Sequence, residues 1–165
     1  MPRASRPVSW IGFLVRLAAA GVWIVAGAAK LPDIRGFHLI VQRYGILPDV
    51  LAAPFAYALP FVEIGIGLYL GIGLFVRATA LAGTLLFAAF LSAQAFAYAR
   101  GIPLDCGCFG TIARTAVGPG TMARDFSLGI PTFLMLALPA RLLSLDARLF
   151  GSADWFTIRL VGRSS

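Results

Sequence analysis

Charge is scarce in this chain, and histidine nearly absent. Charged residues make up 13% of its 165 positions, about half the share of an ordinary soluble domain. With a mean hydropathy of +0.87, that scarcity excludes a soluble globular protein and points to one embedded in a bilayer. Fourteen Lys and Arg against seven Asp and Glu give a net charge of +7. The basic residues stand singly at the ends of apolar segments, a pattern of membrane orientation rather than of a phosphate-binding face. His38 is the single histidine, so a metal site built on the two cysteines would need His38, Asp33 and Asp105 to complete it. That site and two inert buried thiols are the alternatives to redox chemistry, and the expected metal ligation is none. Few polar residues interrupt the apolar segments and no internal repeat is visible, which weighs against a small transporter.

What is present in quantity is apolar sequence. Four segments reach the roughly 20 residues that a crossing needs: approximately Trp10–Ala29, Leu51–Val76, Ala78–Ala99 and Phe126–Leu143. The first follows Arg3 and Arg6 and is too long for the apolar part of a cleaved signal, so it is expected to be retained as a membrane helix. The second holds Pro54 and Pro60 near its start, then Gly65, Gly67, Gly71 and Gly73, with Gly67 and Gly71 on a face that another helix can approach closely. Between the first two spans, Ile34, Phe37, Val41 and Tyr44 recur at helical spacing and predict a short amphipathic helix in the interface. The expected fold is all-α: a single membrane domain over residues 1–165, an integral four-helix bundle with that interfacial helix. A connection over 100–125 and a polar tail over 144–165 lie outside the membrane, the tail with a second surface helix near Ala153–Val161.

Both cysteines sit in the connection, in Asp105-Cys106-Gly107-Cys108-Phe109-Gly110. Gly107 supplies the backbone curvature that a bridge across three residues demands. So small a loop gains little chain-entropy stabilisation from closure, so the pair reads as reactive rather than structural. Arg100, Arg114 and Arg124 share the connection and favour thiolate, while Asp105 opposes it. A single pair exchanges with one partner at a time, so turnover requires a second redox centre, a bound quinone or a partner protein. With an even number of spans the termini share a side, that of Arg3, Arg6, Arg77, Arg141, Arg148, Arg159 and Arg163. Lys30, Arg35, Arg43, Arg100, Arg114 and Arg124 fall opposite. The small excess places the termini inside and the cysteines outside, in the periplasm of a bacterium, where disulfides persist.

Glu63 is the single acid within an expected span. A carboxylate at that depth is a candidate functional group, as a proton relay during thiol oxidation or a hydrogen-bond partner for a quinone head group. Its structural role would be a buried pair with Lys30 or Arg100, or a protonated hydrogen bond to a neighbouring helix. Gln94 reads as interhelical glue, Lys30 as a residue reaching for the interface, His38 as interfacial, and Phe87, Phe90 and Phe96 as packing or lipid-facing residues.

Three stretches together resemble the MauE/DoxX family of small four-helix membrane proteins, and its MauE (methylamine utilisation) branch in particular. They are Ala26–Asp33, Leu59–Glu63, and Arg100-Gly101 leading into Asp105–Gly110, within a resemblance covering roughly residues 10–143. The cysteine pair selects the MauE-like branch. The resemblance implies a redox-associated accessory role in a bacterial inner membrane, often beside a thioredoxin-like partner. It also implies a link to maturation of a disulfide-rich periplasmic enzyme such as methylamine dehydrogenase. The leading expectation is thiol–disulfide exchange through Cys106 and Cys108 with Glu63 in support, either cysteine being able to attack. The other is a non-catalytic subunit or assembly factor of a quinone-linked oxidoreductase, as in DoxX-like proteins.

Overall fold

The computed structural model describes residues 6–110 and 115–136, with side chains from Trp10 onward. Its elements are α1 (Arg6–Lys30), a 3-10 turn (Leu31–Asp33), α2 (Ile34–Tyr44), α3 (Asp49–Ile72), α4 (Val76–Ala99) and α5 (Pro119–Leu134). The protein is an all-α membrane bundle. Among the described residues, Trp10–Tyr44, Asp49–Ile72 and Val76–Ala99 are long and apolar enough to cross a bilayer. The expected tail helix near Ala153–Val161, the tail over 144–165 and the end of the fourth expected span lie outside the described residues.

Three boundaries differ from the sequence reading by four residues or more, the first being the start of α1 at Arg6 rather than Trp10. The second span ends at Ile72 rather than Val76. Gly73 takes the left-handed conformation at φ 73°, and its N–H and that of Leu74 return to the carbonyls of Tyr69 and Leu70. That glycine stop outranks the apolar run that continues past it. The fourth helix starts at Pro119, seven residues before the expected Phe126. Gly118 is extended and Pro119 occupies the first helical turn, a pre-organised start. The connection therefore shrinks to residues 100–118, and Arg124 and Asp125 become helical.

α1 and α3 form the most extensive helix pair. Small residues permit it, since apolar side chains gain nothing over lipid by merely meeting each other. A Cβ on Gly67 would stand 2.9 Å from the Ala20 carbonyl oxygen, and one on Gly27 2.6 Å from that of Pro60. Gly65, by contrast, faces open space. Trp23, Ala19 and Ala20 of α1 meet Ile66 and Leu70 of α3, Ala80 of α4 and Met135 in one core. Trp23 Nε1 donates to Thr132 Oγ1 at 3.0 Å, tying α5 to α1. Leu14, Val25, Leu68 and Leu85 are exposed on the lipid side.

α2 forms where the amphipathic pattern predicts. Asp33 Oδ1 accepts from the Gly36 N–H at 2.9 Å at its start, and Gly45 at φ 62° ends it. Its buried residues are Phe37, Ile40 and Tyr44, so Ile40 takes the inner place expected for Val41. This face receives the cysteine loop.

Candidate functional site

The connection after α4 is held against the bundle by backbone contacts. Cys106 N donates to the Thr115 carbonyl at 2.9 Å and Val117 N to that of Leu104 at 2.8 Å, around an antiparallel bridge between Asp105 and Ala116. Gly107 at φ +69° turns the chain between the cysteines, and a Cβ there would press on Ile40 at 3.1 Å and Phe37 at 3.4 Å. Gly110 at φ +60° lies so close to α1 that a Cβ would meet the Ala29 carbonyl oxygen at 2.6 Å. Only glycine satisfies both the conformation and the approach. The Tyr44 hydroxyl donates to the Cys106 carbonyl at 3.2 Å.

Both cysteines are free thiols, Cys106 buried and Cys108 half-buried. The Cys106 sulfur lies 3.4 Å from Thr115 Oγ1 and accepts from Arg124 Nη2 at 3.5 Å. The Cys108 thiol donates to Asp125 Oδ2 at 3.0 Å, and Gln94 Nε2 donates both to the Cys108 sulfur at 3.1 Å and to Asp125 Oδ2 at 2.9 Å. Arg124 in turn pairs with Asp125 Oδ1 at 2.9 Å. The two thiols ionise as a unit. Hydrogen bonding from Cys108 lowers the Cys106 thiol to about 6 against burial, with Thr115 adding to the effect. The Cys108 thiol is pushed up, first by its bond to Cys106, then by burial and the neighbouring Asp125. One proton leaves easily and the second is held.

Below the loop, Lys30 and Glu63 form a buried ion pair, with Lys30 Nζ at 2.9 Å from both carboxylate oxygens. The same Nζ donates to the Ala26 carbonyl at 3.1 Å and to the Cys108 carbonyl at 2.6 Å. It also lies 5.5 Å from the centroid of the Phe37 ring and 5.7 Å from that of Phe90. Lys30 is therefore not reaching for the interface. It is 1% exposed and spans from α3 to the cysteine loop. Glu63 touches the loop through Lys30, and both Glu63 and Cys108 line a largely apolar cavity that Trp23, Phe87 and Phe90 also wall.

The structure thus brings Cys106 and Cys108 together and connects Glu63 to them at one remove. Of the three arginines expected near the thiols, Arg124 is the one in contact. Arg100 stacks on Phe96 at 5.1 Å, and Arg114 is outside the described residues. Phe96 is exposed and His38 half-buried. Asp125 was missed: read as the end of a polar connection, it is a buried helical residue in direct contact with Cys108. Pro119 was the available signal, because a helix begun there carries Asp125 into the bundle. Arg16, fully buried in α1, was missed as well.

Comparison with known proteins places this architecture. The family model described as "Methylamine utilisation protein MauE" matches residues 8–143. The chain is 29% identical to the methylamine utilization protein MauE of Paracoccus denitrificans, over 78% of this chain and 72% of that protein. It is 28% identical to the one of Methylophilus methylotrophus, covering 87% and 80%. The figure for the one of Paracoccus versutus is 31%, covering 92% and 80%. No solved structure matches the chain. A matched model across most of the sequence, on a multi-pass helical membrane protein, settles the family: this chain belongs to the MauE family.

Proposed function

We propose that the protein exchanges thiol and disulfide equivalents at a membrane surface through Cys106 and Cys108. The observation that carries this reading is the pairing of two unbridged thiols in unlike settings, one buried among donors and one half-exposed beside a carboxylate. In the oxidised protein, a partner thiolate attacks the more accessible Cys108 sulfur. The Cys106–Cys108 bond breaks, a Cys108–partner disulfide forms, and Cys106 leaves as a thiolate held by Thr115 and Arg124. A stabilised thiolate is the better leaving group. The partner's second thiolate then attacks its own sulfur in the mixed disulfide, closing the partner's disulfide and releasing Cys108, whose sulfur takes up a proton beside Asp125. Two electrons now reside on the dithiol, and a quinone in the bilayer or a partner protein removes them. Every step also runs in reverse.

The half-buried position of Cys108 supports giving it the exchanging role, a choice the sequence leaves open. Glu63 acts here as a positioning residue: with Lys30 it fixes the Cys108 carbonyl, and so the loop. The orientation with the loop on the periplasmic side, a fourth crossing, and a thioredoxin-like partner all belong to this proposal. The names of its relatives support a role in methylamine utilisation, with maturation of a periplasmic enzyme such as a methylamine dehydrogenase as the service rendered.

The test is trapping with single-cysteine variants. Cys106→Ser leaves the accessible Cys108 without its resolving partner and should accumulate a mixed disulfide with the partner protein in membranes. Cys108→Ser should accumulate several-fold less. Equal yields, or none from either, would defeat the assigned order or the exchange itself.

A further inference from the structure

The arrangement around the thiols goes beyond what exchange requires. Cys106 Sγ, Cys108 Sγ and a carboxylate oxygen of Asp125 all lie within 4.8 Å of one another. We infer that the reduced site is also a binding site for a borderline-soft divalent cation of the zinc type, with Cys106, Cys108 and Asp125 as ligands.

Two sulfurs and one carboxylate oxygen form a donor set that suits zinc, leaving a fourth position for water or a ligand. Charge supports the assignment. Two thiolates and a carboxylate carry three negative charges, and Arg124, paired with Asp125 at 2.9 Å, offsets one. The remaining two equal the charge of a divalent cation, so the loaded site is neutral where burial penalises net charge. The proton shared between Cys108 and Asp125 Oδ2 at 3.0 Å occupies the place that the cation takes.

Each ligand also has an outer partner, the feature that orients metal ligands. Gln94 Nε2 donates to both the Cys108 sulfur and Asp125 Oδ2, Arg124 holds Asp125 Oδ1, and Thr115 and Arg124 contact the Cys106 sulfur. Gln94 is fully buried and joins two of the three ligands, a place that interhelical glue does not require. Binding draws on both thiols, so it competes with disulfide formation: the cation locks the reduced state and oxidation releases it.

The test uses the full chain in detergent, reduced and stripped with a chelator, titrated with Zn2+ and with Co2+ as a coloured probe. One equivalent should bind, with proton release, a thiolate-to-cobalt charge-transfer absorption and loss of thiol alkylation. The oxidised protein, which needs no substitution, should bind neither ion. Gln94→Ala should weaken affinity by roughly tenfold or more, and Asp125→Asn by at least as much, with folding followed by circular dichroism. Binding that is equal in reduced and oxidised protein, or absent from the reduced protein, would overturn the inference. Thiol exchange measured in chelator is independent of this result, so either reading can fail without the other.

Discussion

Two buried polar clusters adjoin each other in this protein, joined by the bond from Lys30 Nζ to the Cys108 carbonyl at 2.6 Å, and they are built on opposite plans. Lys30 and Glu63 form a closed unit: the ammonium reaches both carboxylate oxygens and two backbone carbonyls. The charges cancel and no exchangeable group is left toward solvent. Cys106, Cys108 and Asp125 form an open one. Three acidic groups crowd together with one guanidinium beside them, one thiol is half-exposed, and their protons are unequally held. A buried charge pair that is complete fixes structure, whereas a cluster with an excess of ionisable groups stays responsive to protons, electrons or cations. The Lys30 bond to the Cys108 carbonyl is where the first plan steadies the second.

Breaking the closed unit should have the largest effect. Glu63→Gln leaves the Lys30 ammonium without a counter-charge inside the bundle, and removal of one partner from a buried pair costs about 3–5 kcal/mol. Membrane abundance and thermal unfolding in detergent should fall accordingly. Replacing both, as Lys30→Met with Glu63→Leu, should recover much of the stability because no orphan charge remains. The recovered protein should still exchange disulfides more slowly, since the tie to the cysteine loop is gone. A Glu63→Gln variant of full abundance and unchanged stability would show that the pair does not hold the fold.

These clusters also mark where the sequence was legible and where it was not. The helices follow from hydropathy, and the α2 pattern from Phe37 and Tyr44, because those signals are local. The cysteine pair was readable for the same reason. Lys30 was legible only as one of two candidate partners of Glu63, since the choice over Arg100 depends on α1 packing on α3 through Gly27 and Gly67. Asp125 was illegible because its meaning is tertiary: a polar residue after a glycine-proline turn becomes a buried neighbour of Cys108 only once α5 folds back against α4. Gly110 is similar, since its need for glycine comes from α1, some eighty residues earlier.

A smaller effect separates the two thiols of the open cluster. With chelator present, the ultraviolet absorbance of thiolate in the reduced protein should rise as pH rises through about 6 and level off above it, because Cys106 loses its proton there. At pH 7 about nine-tenths of such a thiol is ionised, against a few per cent for an ordinary cysteine near 8.5. Cys108→Ala removes the neighbouring thiol that does most to lower that ionisation and should move the half-point upward. An unchanged half-point in that variant would assign the ionisation to another cause.

The central claim is that Cys106 and Cys108 form a reversible redox pair, and equilibration in glutathione buffers tests it most directly. Full-length protein in membranes, equilibrated across a range of reduced-to-oxidised ratios and quenched by alkylation, should pass between dithiol and intramolecular disulfide in one two-electron transition. Because the bridge closes on a single intervening glycine, its midpoint should lie above the roughly −300 mV below which structural disulfides fall. Thiols that never bridge, or a midpoint below that value, would contradict the account.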